Sequence, residues 1–137
     1  MPNITCITLG TRALAQSLAF YKALGFKPGF VNDEVAFIQL NSSVLALYRQ
    51  EMQSRDLKLG KRKPAPGGIT LAINLASKKE VDAFFAKAKK AGAKPIQPPH
   101  AAVWGGYTCY FGDPDGHAWE VAWNPFWKLD KKGNVKL

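Results

Sequence analysis

The stretch Trp104–Pro125, WGGYTCYFGDPDGHAWEVAWNP, decides how this chain is read. Two β-rich runs, Tyr107–Gly112 and Ala118–Asn124, flank Asp113-Pro114-Asp115-Gly116, a group of residues that favours a tight turn. The stretch therefore predicts strand, turn, strand. Side chains alternate across a strand, so Trp119, Val121 and Trp123 share one face and Ala118, Glu120 and Ala122 share the other. Glu120 places a carboxylate in an otherwise apolar strand, where burial is costly without a partner. It is the first candidate for chemistry in the chain, as a ligand, a base or a polar anchor.

The rest of the chain sets that strand pair in a repeating pattern. Ile4–Leu9 alternates and predicts a strand. Arg12–Leu24 predicts a helix with Leu14, Leu18, Tyr21 and Leu24 on one stripe, stopped by Gly25. Gly29–Val31, Val35–Leu40 and Val44–Tyr48 predict three short strands, with turns at Asn32-Asp33 and Asn41-Ser42-Ser43. Arg49–Gly68 reads as a polar, basic linker or flap, with one helical turn near Met52–Leu57.

The pattern then restarts. A strand is predicted over Ile69–Leu75, with Ile69, Leu71, Ile73 and Leu75 toward the core. A helix follows over Lys79–Ala91, capped by Ser77, with Glu80 at its third position. Its core side carries Val81, Phe84, Phe85 and Ala88. A short edge strand at Pro95–Gln97 precedes the opening stretch. The tail, Trp127–Leu137, predicts a small hairpin around Lys132-Gly133.

The two halves echo one another. Ile4-Thr5 leads through a helix and a glycine to Lys27-Pro28, as Ile69-Thr70 leads to Lys94-Pro95, with separations of 23 and 25 residues from threonine to proline. This is an internal duplication of a βαβββ unit. The expected fold is α+β, with two βαβββ modules forming a curved mixed-sheet cup and the helices outside. The whole of 1–137 is read as one domain: module one over about 1–50, a linker over about 51–67, module two over about 68–125 and a tail over 126–137.

The chain carries a formal net charge of +9 over 137 residues. The excess is concentrated in Arg49–Lys63, Lys78–Lys94 and Pro125–Leu137. A basic surface favours anionic partners, yet no nucleic-acid motif accompanies it, so solubility is the expected role. No apolar run approaches the ~20 residues of a membrane span. The N-terminal Met-Pro-Asn-Ile-Thr lacks the basic and apolar regions of a secretory leader. The expectation is a cytoplasmic protein with no membrane partner. Cys6 and Cys109 fall in predicted strands and are expected as buried free thiols.

The segment Leu18-Ala19-Phe20-Tyr21-Lys22-Ala23-Leu24-Gly25-Phe26 and the segment Asp113-Pro114-Asp115-Gly116-His117-Ala118-Trp119-Glu120-Val121 together resemble the vicinal oxygen chelate superfamily. That group includes glyoxalase I, bleomycin-resistance proteins and extradiol dioxygenases. The resemblance covers nearly the whole chain. Trp104-Gly105-Gly106-Tyr107 and Trp123-Asn124-Pro125 resemble a glyoxalase-like subgroup. Metal-dependent members hold one divalent ion with four side chains. Carried over, those positions are Cys6, a residue near Ala46, Thr70 and Glu120, where the usual set is His or Gln, Glu, His and Glu. One carboxylate, one thiol, one hydroxyl and one methyl fall short of what divalent ions require. No metal ligand set, and no cofactor, is expected. His117 is read as a turn residue and His100 as a loop residue.

The remaining candidates come from strand alternation. Thr70, Ala72 and Asn74 share the face of Glu120, and Thr8, Gln39, Tyr48, Thr108 and Tyr110 are further candidates for that lining. Trp104 lies in the preceding loop, where it would close over a ligand or plug the structure. The expected ligand-binding set is Tyr48, Thr70, Asn74, Trp104, Tyr110 and Glu120, with Glu120 also the catalytic candidate. The principal reading is a protein that binds a small organic ligand without the usual divalent metal. The alternative is a metal-dependent lyase or isomerase of the glyoxalase type, with Glu120 as base or ligand. A lesser one is nucleic-acid association through the basic loop and tail. The resemblance also implies a homodimer, with Phe126 and Trp127 as candidate contacts.

Overall fold

A computed structural model of the protein describes residues 2–136. The chain divides between Pro66 and Gly67 into two compact units. In the first, β1 (Cys6–Thr11) leads into α1 (Leu14–Leu24), then β2 (Pro28–Val31), β3 (Val35–Gln39), β4 (Val44–Arg49) and α2 (Gln50–Asp56). In the second, β5 (Thr70–Asn74) leads into α3 (Lys78–Lys90), then β6 (Lys94–Ala101), β7 (Tyr107–Gly112), β8 (Ala118–Trp123) and a small hairpin of β9 (Lys128–Leu129) and β10 (Val135–Lys136). Leu137, the last residue of the expected tail hairpin, lies outside the described residues.

Each unit is a βαβββ module with an open, four-stranded mixed sheet. The strand orders are β1-β4-β3-β2 and β5-β8-β7-β6. β1 runs parallel to β4, and β5 parallel to β8; the other pairs are antiparallel. The fold class is α+β, and the duplication read from the sequence is a duplication of topology.

One face of each sheet packs under its helix. In the first unit Leu9, Ala36, Ile38, Leu45 and Leu47 are buried together with Phe20, Tyr21 and Leu24 of α1. Ser17 is also buried on that helix, while Leu14 and Leu18 are only half-buried. The stripe is therefore rotated toward Ser17, Phe20 and Tyr21, because the aromatic pair Phe20–Tyr21 packs edge to face at 5.2 Å and fills the space that leucines alone would not. In the second unit Val81, Phe85 and Ala88 of α3 are buried, as are Cys109, Phe111, Trp119 and Val121 of the sheet. Phe84, half-buried, stacks on Phe111 with ring centroids 6.4 Å apart.

The helix ends repeat as well. Gly25 and Gly92, which follow α1 and α3, both take φ of 103°, a left-handed geometry that glycine adopts without steric cost. The starts differ. Ser77 accepts from the Glu80 amide at 3.2 Å, and the Glu80 carboxylate accepts from the Ala76 amide at 2.9 Å, so one orphan donor of the helix and the amide just before its cap are both satisfied. Ala13 at the start of α1 provides no side-chain cap.

Four expectations are corrected. Ile69 precedes β5 and is 69% exposed, since no helix covers the chain before the strand begins. The linker is helical over two turns directly after β4, not one turn further on. The edge strand β6 extends to Ala101, its prolines accommodated at an edge and beside two register shifts, so His100 is a strand residue. Cys6 is exposed, because it opens β1 on the face away from the helix.

Candidate functional site

Glu120 sits near the centre of β8, opposite Ala72 of β5 and Tyr110 of β7. Register then places its neighbours. Thr70 and Ala118 form the adjoining row on one side. On the other, Asn74, Ala122, Thr108 and His100 form a continuous row across all four strands. Side chains in such rows share a face, so this side of the sheet carries one carboxylate, hydroxyls, an amide and an imidazole, opposite the face that α3 covers.

The carboxylate has the partners its position requires. The Thr108 hydroxyl donates to Glu120 Oε1 at 2.9 Å, and the Tyr110 phenol donates to the same oxygen at 2.9 Å. Thr108 is only 1% exposed and lies 3.3 Å from the Val121 carbonyl as well. Glu120 and Tyr110 are half-buried. Burial, and then donation to Glu120, raise the Tyr110 phenol above its ordinary value of 10.0. Oε2 of Glu120 has no donor among the described residues. The half-buried charge is thus stabilised through one oxygen while the other stays available as an acceptor.

The remaining expected ligand-binding residues fall in different places. Thr70 and Asn74 lie on the Glu120 face, in the rows flanking it; Thr70 is exposed and Asn74 half-buried. Trp104 stands in the turn between β6 and β7 and is 42% exposed. Its ring lies where a side chain on Gly106 would be, so Gly106 is the seat on which Trp104 rests, while Gly105 faces the Phe126 ring. Tyr48 belongs to the first unit, where its phenol donates to Asp56 Oδ2 at 2.8 Å. That bond raises the phenol; the same bond, followed by the one from Arg55, holds the Asp56 carboxyl below its usual range. Gln39, expected in the lining, braces its own turn through the Leu40 and Ser43 carbonyls.

Asp56 and Glu34 were not read from the sequence as site residues. With Thr8, Val35, Phe37, Ala46 and Tyr48 they line a pocket of about 330 Å³ on the sheet face of the first unit. The missed signal was the length of α2: two full turns after β4 bring its last residue back to Tyr48.

The donor set also bears on the metal that the fold family implies. The node equivalent to Glu120 in the first unit is Ala46, which pairs with Thr8 and Phe37 as Glu120 pairs with Ala72 and Tyr110. Ala46 has no donor atom on its side chain. Among the described residues, no group of three or more His, Cys, Asp or Glu comes together. His117 is half-buried in the turn before β8, its amide donating to Asp113 Oδ1 at 2.9 Å. Hydroxyls and a single carboxylate are a poor match for a divalent ion.

The family's model, described as Glyoxalase/Bleomycin resistance protein/Dioxygenase superfamily, matches residues 3–121. The chain belongs to this superfamily. A glyoxalase-related enzyme from Fulvimarina pelagi is similar to it over 100% of this chain and 99% of its own, at 34% identity and a TM-score of 0.92. A glyoxalase/bleomycin resistance protein/dioxygenase family enzyme from Burkholderia phytofirmans PsJN shares the fold at 18% identity and a TM-score of 0.78, over 89% of this chain and 98% of its own. A lactoylglutathione lyase from Agrobacterium tumefaciens does so at 23% identity and a TM-score of 0.72, over 93% and 98%. No curated protein matches the sequence. No helix among the described residues is long and apolar enough to cross a membrane.

Proposed function

We propose that this glyoxalase-like protein binds a small, partly polar organic ligand on the sheet face of its second unit, with Glu120 as the anchor and without the divalent ion used by metal-dependent relatives. The observation that carries the proposal is the division of labour within one carboxylate. Two hydroxyls hold Oε1, and Oε2 is left to accept from a ligand hydroxyl or amine. Thr70, Asn74 and His100 offer further polar contacts on the same face, and Trp104 supplies an exposed ring at its edge. Pockets for small molecules pair apolar surface with a few placed polar groups.

The donor set supports the metal-free part of the proposal. Ala46 and Thr70 stand where carboxylate and imidazole ligands are usual, and neither supplies one. Elemental analysis of the untagged protein, purified without chelators, tests this part directly. Zn, Ni or Mn well below one equivalent is expected, together with no glyoxalase turnover after Zn²⁺ or Ni²⁺ is added. A stoichiometric metal, or turnover that Glu120→Gln abolishes, would overturn the proposal in favour of a lyase or isomerase.

A further inference from the structure

The pocket of the first unit has a chemical character of its own. Its floor is the row Thr8–Ala46–Phe37 and its wall the neighbouring pair Val35–Tyr48, all on the face of the sheet away from α1. Two of these residues are aromatic. Phe37 is 39% exposed, so part of its ring is open to a ligand. The two charged groups that line the pocket, Glu34 and Asp56, are both acidic.

The two acids are not equivalent. Asp56 accepts from the Tyr48 phenol at 2.8 Å and pairs with Arg55 at 3.1 Å, so its charge is largely answered. The Glu34 carboxylate makes no hydrogen bond or ion pair with any described residue; the strand's turn is held instead by its backbone amide, which donates to Asn32 Oδ1 at 2.8 Å. Arg55 acts on Glu34 only at a distance and is already bound to Asp56. The Arg55 guanidinium also reaches the Tyr48 hydroxyl at 3.5 Å, so the pocket combines aromatic rings and an apolar floor with two carboxylates, Asp56 paired with Arg55 and Glu34 without a direct partner among the described residues. That combination suits an organic cation, whose charge meets both a carboxylate and the negative face of a ring.

We infer that this pocket binds a small organic ammonium ion. Its charged nitrogen sits by Glu34, and its apolar part lies on Phe37, Val35 and Ala46. A volume of about 330 Å³ is that of a compact amine, not of a large polycation. The net charge of +9 opposes the approach of cations at long range. Salt screens that field beyond ~8 Å at physiological ionic strength, so the groups in contact decide binding. The inference stands on residues of the first unit and does not depend on the role of Glu120.

The test is a calorimetric or NMR titration of the full chain with benzyltrimethylammonium, alongside benzyl alcohol and phenylacetate as neutral and anionic counterparts. Binding of the ammonium probe alone is expected. Glu34→Gln and Phe37→Ala should each weaken it about fivefold, the scale of one charge pair or one cation–ring contact. Asp33→Asn, which removes a neighbouring exposed carboxylate outside the pocket, should leave it unchanged, and the melting temperature of each variant reports whether it is folded. Equal binding of the three probes, no binding of the ammonium probe, or an equal loss in Asp33→Asn and Glu34→Gln would overturn the inference. None of these outcomes bears on the Glu120 anchor.

Discussion

The two sheets share a topology and a register but not a chemistry. Where the second unit has Glu120 between Ala72 and Tyr110, the first has Ala46 between Thr8 and Phe37. The next row has Thr108 beside Ala122 in the second unit, and Val35 beside Tyr48 in the first. The second unit thus carries its charge at the centre of the sheet, held by hydroxyls on the neighbouring strand. The first has an apolar centre and carries its charges at the rim, on the turn before β3 and on α2. The lesson is that a central charge on a sheet needs donors built into the adjacent strand, whereas rim charges need only solvent and a nearby partner.

Exchanging the two nodes is the strongest way to break the comparison. Ala46 is 2% exposed, with the Thr8 hydroxyl opposite it on β1 but only the Phe37 ring on β3 where the second unit has Tyr110. Ala46→Glu should therefore destabilise the protein by about 3 kcal/mol, the scale of an unpaired buried charge. Adding Val35→Thr and Phe37→Tyr copies the Thr108 and Tyr110 donors and should recover part of that loss. The reverse change, Glu120→Ala, strands two hydroxyls but removes a half-buried charge, and should cost about 1–2 kcal/mol. Urea unfolding of the four proteins measures all of these.

The Tyr110–Glu120 bond sharpens the comparison through pH. Tyr110→Phe removes one donor and should cost about 1 kcal/mol near neutrality. The phenol's folded value lies above its ordinary 10.0, so its stabilisation is present below that value and is lost as pH rises through the folded value. The gap between wild type and Tyr110→Phe should close only on the alkaline side. A constant gap across that range would show that folding leaves the phenol's titration unchanged.

The smallest effects lie at the helix starts, where the units differ by one cap. Ser77→Ala should cost about 1 kcal/mol, and Ala13→Asn should add a few tenths to α1. Thermal unfolding of the two variants reads the pair, and equal and opposite shifts would show the two helices to be equivalent in the fold.

Much of the second unit was legible beforehand. Alternation in Ala118–Trp123 assigned Glu120 and Trp119 to opposite faces, and the same rule placed Thr70, Asn74, Thr108 and Tyr110 with Glu120. The cap at Ser77 follows from residue types alone. The two cysteines show where such reasoning stops. Both lie in β-strands, yet Cys109 is fully buried, which raises its thiol to about 11, while Cys6 is exposed. Alternation assigns a side chain to a face but not the cover that the face receives. Asp56 was missed for a related reason: a short polar helix has no apolar stripe to announce its length, and one further turn brought its last carboxylate to Tyr48.

The amino-acid sequence by itself determined the duplicated βαβββ order, the faces of the strands and the presence of a single carboxylate in a central strand, because these depend on local periodicity and turn chemistry. Only the tertiary structure decided which oxygen of Glu120 is held and which is open, that His100 joins its face, and that Glu34 and Asp56 enclose a pocket on the other unit. Those outcomes depend on strand register and on where helices end, and they arise from contacts between residues far apart in the chain.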